Sequence, residues 1–159
     1  MGVSMQSSVL RPALFKRGAL LATGLTLAVT GVAVAANPTV SKGTARVNGN
    51  NRSVVVNVNG QTVYTLSGEH VGNPTVLKCI NQTCFSIWLP VRTNTNERLT
   101  KGPGVSGNVG RLRRVRANFY QVTLNGKPLY RYVGDANTKG NAKGQGIRSF
   151  GGTWSVVNP

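Results

Sequence analysis

Few residues in this chain have types and spacings that could do chemistry. Tyr64 stands five residues before Glu69, and Tyr130, with Tyr132 beside it, five before Asp135. A tyrosine buries an apolar ring yet needs a partner for its hydroxyl. An acid just past a strand-ending Gly can accept backbone amides in the turn. The sharper reading of the same residues is that the two sets converge on a cation or small ligand. His70 adjoins Glu69, and a His–carboxylate pair can act as a general base. No Ser-nucleophile motif accompanies it, and a surface loop is the expected place for His70. Cys79 and Cys84 enclose four residues. After export they are expected to close a local disulfide, which contributes about 2 kcal/mol by loop entropy. The functional alternative is a redox pair, but such pairs usually have two intervening residues and a thiol pKa lowered by a helix terminus; here only Lys78 offers such help. Arg111, Arg113, Arg114 and Arg116 are the densest charge cluster. In an extended chain Arg111 and Arg113 share one face, with Arg114 and Arg116 on the other.

Composition narrows the possibilities. The 159 residues hold 19 Lys plus Arg, 3 Asp plus Glu and one His, for a formal charge of +16. Three acids cannot build an oxygen cage for calcium or magnesium. One His and two Cys cannot supply four zinc ligands. With no triad, no glycosidase carboxylate pair and no metal motif, the expectation is a protein that is not an enzyme and carries no cofactor. A long-range positive potential attracts polyanions, and the arginine cluster is the expected contact.

Residues 1–36 read as a cleaved export signal. Arg11, Lys16 and Arg17 form a basic region, and an apolar stretch runs from Gly18 to Val34. The small residues Ala33-Val34-Ala35-Ala36 follow, with cleavage expected after Ala35 or Ala36. The rival is a retained anchor, but the apolar run is short and rich in small residues. No Cys lies near the junction, so lipid anchoring is not expected. Removing Arg11, Lys16 and Arg17 lowers +16 to +13, so the charge anomaly belongs to the remaining domain. The expected setting is extracytoplasmic, periplasmic or secreted, with a soluble protein. Envelope polyanions (lipid head groups, lipopolysaccharide or wall polymer) are then better placed than nucleic acid. The scarcity of carboxylates has a second reading. Few protonatable acids leave stability nearly flat from pH 7 to about 2, which suits an acidic milieu.

The elements that must position these residues are strands. Residues 37–52 are polar and read as a loosely ordered lead-in to a β-rich domain over 53–159. Ser53–Val58, Asn59-Gly60 and Gln61–Leu66 form a hairpin pattern, since Asn-Gly suits the positive φ of a type I′ turn. Pairing about that turn sets Val56 opposite Val63 and Val55 opposite Tyr64. Phe119–Leu124, Asn125-Gly126 and Lys127–Tyr132 repeat the design, setting Val122 opposite Leu129, Gln121 opposite Tyr130 and Phe119 opposite Tyr132. Pro128 suggests an edge position or an outward amide. Asn59-to-Glu69 reads NGQTVYTLSGE and Asn125-to-Asp135 reads NGKPLYRYVGD, offset by 66 residues. Either this is a true repeat with a shared core, or any two Asn-Gly hairpins look alike. A helical turn or two is expected between Cys79 and Trp88, loops over 92–110 and 136–146, and a closing strand at Thr153–Val157 that buries Trp154.

The second half resembles a bacterial secreted-repeat, predicted-lipoprotein family defined by a Tyr-x-aromatic-x-x-Asp motif. Tyr130, Tyr132 and Asp135 fill the motif, followed by Gly144-Gln-Gly146 and Trp154-Ser-Val-Val-Asn-Pro159. In the first copy Tyr64 fits, while Leu66 and Glu69 replace the aromatic and the Asp. Cys79, Cys84 and Trp88-Leu89-Pro90 look like the family's Cys pair and Trp-Pro-Pro run, with longer spacing and one Pro replaced. The chain departs from the family in having no lipobox Cys and in its extreme basic excess. The resemblance implies an exported β-rich module without a settled activity.

The expectation is thus a small, mainly β single domain of two related hairpin repeats, a carboxyl-terminal Trp strand and a local disulfide. Its expected role is a non-catalytic envelope or secreted module that meets anionic partners. The alternative is a ligand-binding or redox-accessory protein using the Tyr–acid sets or the Cys pair.

Overall fold

The computed structural model describes residues 37–159; the expected signal segment and its cleavage sites, Ala35 and Ala36, lie outside the described residues. The first strand, β1 (Val40–Val47), pairs antiparallel with β2 (Asn50–Asn57). Their turn is Asn48-Gly49, both at positive φ (49° and 83°), the geometry a type I′ hairpin requires. The lead-in expected over 37–52 is therefore mostly strand. Its inner face carries small residues that escape a search for β-branched runs. Ala45 and Val47 are buried while Lys42, Thr44 and Arg46 point out. Gly43 is required by close approach, since a Cβ there would lie 2.7 Å from Val56 Cγ1.

The first half continues with β3 (Tyr64–Leu66), a short helix α1 (Gln82–Ile87), β4 (Trp88–Pro90) and β5 (Arg92–Thr93). The second half holds β6 (Val109–Arg114), β7 (Phe119–Leu124), β8 (Lys127–Pro128), β9 (Tyr130–Tyr132), β10 (Arg148–Ser149) and β11 (Gly152–Val156). Three sheets result: β1-β2, a five-stranded sheet ordered β10-β11-β3-β9-β4, and a third in which β7 lies between β5 and β6 and also pairs with β8. The chain is a mainly β domain, as its turn-rich, β-branched sequence implies.

The chain reverses at both expected Asn-Gly sites, but only Asn125-Gly126 makes the expected two-residue turn. In the second, Asn125 and Gly126 both have positive φ and Leu124 faces Lys127. In the first, the Asn57 side chain takes over the turn. Its Oδ1 accepts from the amides of Asn59 (3.1 Å) and Gln61 (2.9 Å). The loop then has three residues, with Gly60 at φ 73°, and Val56 faces Thr62 instead of Val63. A one-residue slip sends every later side chain to the other face. The expected pairs Val55–Tyr64, Gln121–Tyr130 and Phe119–Tyr132 do not form either. The chain leaves each hairpin after the turn, and β3 and β9 enter the five-stranded sheet.

In that sheet the repeat becomes a symmetry. Tyr64 faces Tyr130 across β3 and β9. Trp88 of β4 faces Tyr132 of β9, and Trp154 of β11 faces Leu66 of β3. Each member of one pair lies 66 residues from its equivalent in the other, the relation of an approximate two-fold axis between the tyrosines. The Trp-bearing strand of each copy, β4 in the first and β11 in the second, is thereby handed to the other copy. Backbone bonds repeat the exchange. Val157 of the second copy accepts from Val55 (2.8 Å), as Val91 of the first accepts from Val122 (2.8 Å). One core cluster gathers Val55, Val63, Val91, Val122, Leu124 and Leu129 from both copies. A second gathers the aromatic residues and the disulfide.

Candidate functional site: the tyrosine–acid exchange and the arginine cluster

Because β3 and β9 run antiparallel with Tyr64 opposite Tyr130, each tyrosine points toward the turn that follows the other strand. Tyr64 OH donates to Asp135 Oδ2 at 2.7 Å, and Tyr130 OH donates to Glu69 Oε2 at 2.8 Å. The sets thus pair crosswise, each tyrosine with the acid of the other copy. Both rings are fully buried, and both acids nearly so. Each acid's second oxygen then gathers a loop. Glu69 Oε1 accepts from the amides of Lys78 (2.8 Å) and Cys79 (2.9 Å), and Asp135 Oδ1 accepts from that of Lys143 (2.8 Å). Buried carboxylates need such partners.

Burial pushes the Tyr64 hydroxyl well above the usual phenol range, and its hydrogen bond to Asp135 adds to the shift. Burial does the same to Tyr130, with the nearby Glu69 charge adding and Arg114 opposing. Between the two tyrosine–acid pairs, Trp88 and Trp154 stack with centroids 3.8 Å apart and planes 6° from parallel. Tyr64 meets Trp88 edge-on at 5.4 Å, and Tyr130 meets Trp154 edge-on at 5.0 Å. Tyr132 lies against Trp88 at 4.5 Å and stays half-buried. The Trp pair sits at the same 66-residue offset as the tyrosines, a signal that the sequence carries and that a comparison limited to the hairpins overlooks. Gly144 lets this cluster close, because a Cβ there would lie 2.8 Å from Trp88 Cη2 and 3.0 Å from Tyr64 Cε1.

Cys79 and Cys84 form the expected disulfide, with both residues fully buried. The intervening segment turns into α1, where Asn81 Oδ1 accepts from the Cys84 amide at 3.0 Å, a standard amino-terminal cap. His70 is exposed, and its backbone pairs with Val76 to close the loop that returns to Glu69. Among the described residues no group of three or more His, Cys, Asp or Glu is placed to hold a metal ion.

The arginine cluster divides. Arg113 and Arg116 are exposed and Arg111 is half-buried, donating to Glu97 O at 2.5 Å. Arg111 and Arg113 both lie 6.0 Å from the Tyr120 ring. Arg114 turns inward and is 5% exposed, so it leaves the polyanion surface to which the sequence assigned it. Its Nε donates to Gln121 Oε1 (2.7 Å), one Nη to Cys79 O (3.0 Å) and the other to Tyr130 OH. Strand β6 ends at Arg114 and the chain enters a 3-10 turn over Val115–Ala117, which breaks the alternation that would put Arg116 on the same side. The first copy has no counterpart. Where the registers of β6·β7 place Arg114, Gln121 and Thr123, those of β1·β2 place Ala45, Val54 and Val56, an apolar cluster with Val47 and Ala142.

Residues 120–158 match a family described as a secreted repeat of unknown function, in agreement with the motif carried by Tyr130, Tyr132 and Asp135. The matched stretch covers most of the second copy. No curated protein and no solved structure matches the chain.

Proposed function

We propose that this domain is a non-catalytic extracytoplasmic module that holds an anionic envelope partner on its basic surface. The observation that carries the reading is the segregation of charge. Glu69 and Asp135 are buried in internal hydrogen bonds, leaving Glu97 as the exposed acid among the described residues. Lys42, Arg46, Arg52, Arg92, Arg98, Lys101 and others are exposed as well. With so few outward carboxylates to neutralise them, these cations sum to a field that reaches a Debye length into solution. The secreted-repeat match over 120–158 supports an extracytoplasmic setting. The interior position of the Tyr–acid pairs and of both cysteines favours structural roles for them over ligand or redox roles.

The test is co-sedimentation of the purified domain with phosphatidylglycerol vesicles and with an anionic wall polymer across a salt series. Binding to at least one, lost as salt rises, is expected. An acidic milieu, the other setting that scarce carboxylates suggest, predicts instead a stability nearly flat from pH 7 to about 2 in thermal melts. Absence of binding to both at low salt would refute the reading.

A further inference from the structure

We infer that the face around Ile80 and Val115 docks on an anionic lipid bilayer, with the two apolar tips entering the interface and Arg113 and Arg116 meeting headgroup phosphates. The inference rests on the envelope reading above and names the partner and the surface.

Two chain reversals carry these tips. Ile80 follows Cys79 within the disulfide loop and is 55% exposed; Val115 opens the 3-10 turn after β6 and is 72% exposed. They come from segments 35 residues apart in sequence yet line one groove of about 280 Å³ with Leu77 and Phe85. One bond holds them together. Arg114, which precedes Val115, donates to the carbonyl of Cys79, which precedes Ile80, at 3.0 Å. Neither partner moves freely, since Cys79 is in the disulfide and Arg114 also binds Gln121. The tips are therefore presented ready-made, without an ordering cost at the moment of contact.

The surroundings identify what would cover them. Arg113 and Arg116 line the same groove and are exposed. Arg114 lies beneath, its guanidinium 5.7 Å from the Phe85 ring. No carboxylate lines this groove, whereas Glu97 lines two of the others. A protruding apolar pair ringed by arginines complements a surface with phosphates above and hydrocarbon below. A wall polymer or a nucleic acid offers the phosphates but nothing for Ile80 and Val115 to enter.

The experiment places a reporter at the tip. Trp88 and Trp154 are fully buried, so in Val115→Trp quenching by brominated lipid reads residue 115. Quenching is expected with brominated phosphatidylglycerol vesicles and not with phosphatidylcholine. In the otherwise native chain, Ile80→Ser with Val115→Ser should weaken partition into phosphatidylglycerol about tenfold and leave binding to soluble polyphosphate unchanged. Arg113→Gln with Arg116→Gln should weaken partition about thirtyfold. Unchanged melting temperatures would show that these surface variants fold. If the Ser pair binds vesicles as tightly as the native chain, or if the native chain binds polyphosphate and wall polymer but no vesicle, docking through this face is overturned while the envelope reading stands. A concentration-dependent dimer lost in the Ser pair, with no vesicle binding, also overturns it in favour of a second copy as occupant. Failure of the native chain on vesicles and polymers alike removes both readings together.

Discussion

Tyr64 and Asp135 are 71 residues apart and belong to different copies of the repeat, yet they share a buried hydrogen bond of 2.7 Å. Tyr130 and Glu69 repeat the bond in the opposite sense at 2.8 Å. The motif's tyrosine and acid thus fasten one copy to the other, and each acid also gathers the loop that follows it.

Energetic coupling should follow this crossing. Tyr64→Phe leaves a buried carboxylate oxygen short of a donor and is expected to cost about 1–3 kcal/mol. In a double-mutant cycle from urea unfolding, Tyr64→Phe should couple strongly to Asp135→Asn and weakly to Glu69→Gln. Equal coupling to both acids would contradict the crossed arrangement.

Alkaline unfolding should be tied to the same tyrosines. Tyr64 and Tyr130 hold their protons more tightly in the fold than in the unfolded chain. Their contribution is therefore complete below about pH 10, where a free phenol titrates, and is lost as pH rises beyond it. Tyrosinate absorbance from two of the four tyrosines should appear together with the loss of circular dichroism. Full ionisation ahead of any spectral unfolding would contradict the buried hydroxyls.

Arg114 offers a test built on the difference between the copies. Arg114→Ala strips a donor from each of Gln121, the Cys79 carbonyl and Tyr130, and at about 1–3 kcal/mol for each buried group left unpaired it should be strongly destabilising. Adding Gln121→Val and Thr123→Val writes the first copy's Ala45, Val54 and Val56 into the second. The triple variant should regain part of the loss in thermal melts, because a packed apolar set tolerates burial better than a broken polar one. A triple variant less stable than Arg114→Ala alone would show that the equivalence is wrong.

Gly144→Ala is the smallest change that should disturb the aromatic cluster. Its methyl would press on the Trp88 and Tyr64 rings, and overpacking of this kind costs about 1–3 kcal/mol. Near-ultraviolet dichroism of the stacked indoles should weaken with the melting temperature. An unchanged near-ultraviolet spectrum would count against the close approach.

Much of the local structure was legible in the residues. The Asn125-Gly126 turn, the short helix before Trp88, the closing Trp strand and the disulfide each follow from a few neighbouring side chains. The repeat was visible from Asn59 to Glu69 and could have been followed to Trp88 and Trp154 at the same offset. What escaped depends on distant partners. β1 was hidden because Gly43 and Ala45 must be small against β2. The first turn slipped because the Asn57 side chain competes for its amides. Arg114 looked like a surface charge because its partners, Gln121, Cys79 and Tyr130, meet only in the folded chain. No local pattern says that β4 belongs beside β9 and β11 beside β3.

That exchange of strands has a bearing on the order of events. Tyr64 stays without its acid until Asp135 is available, and β3 without its β11 neighbour until Trp154 to Val156 are. A polypeptide emerging amino terminus first cannot complete either half on the way. Neither half should therefore reach its native pairing before β11 has appeared. Severing the link between Asn94 and Asn108 should accordingly yield two pieces, each unable to fold alone, that recover the domain when mixed.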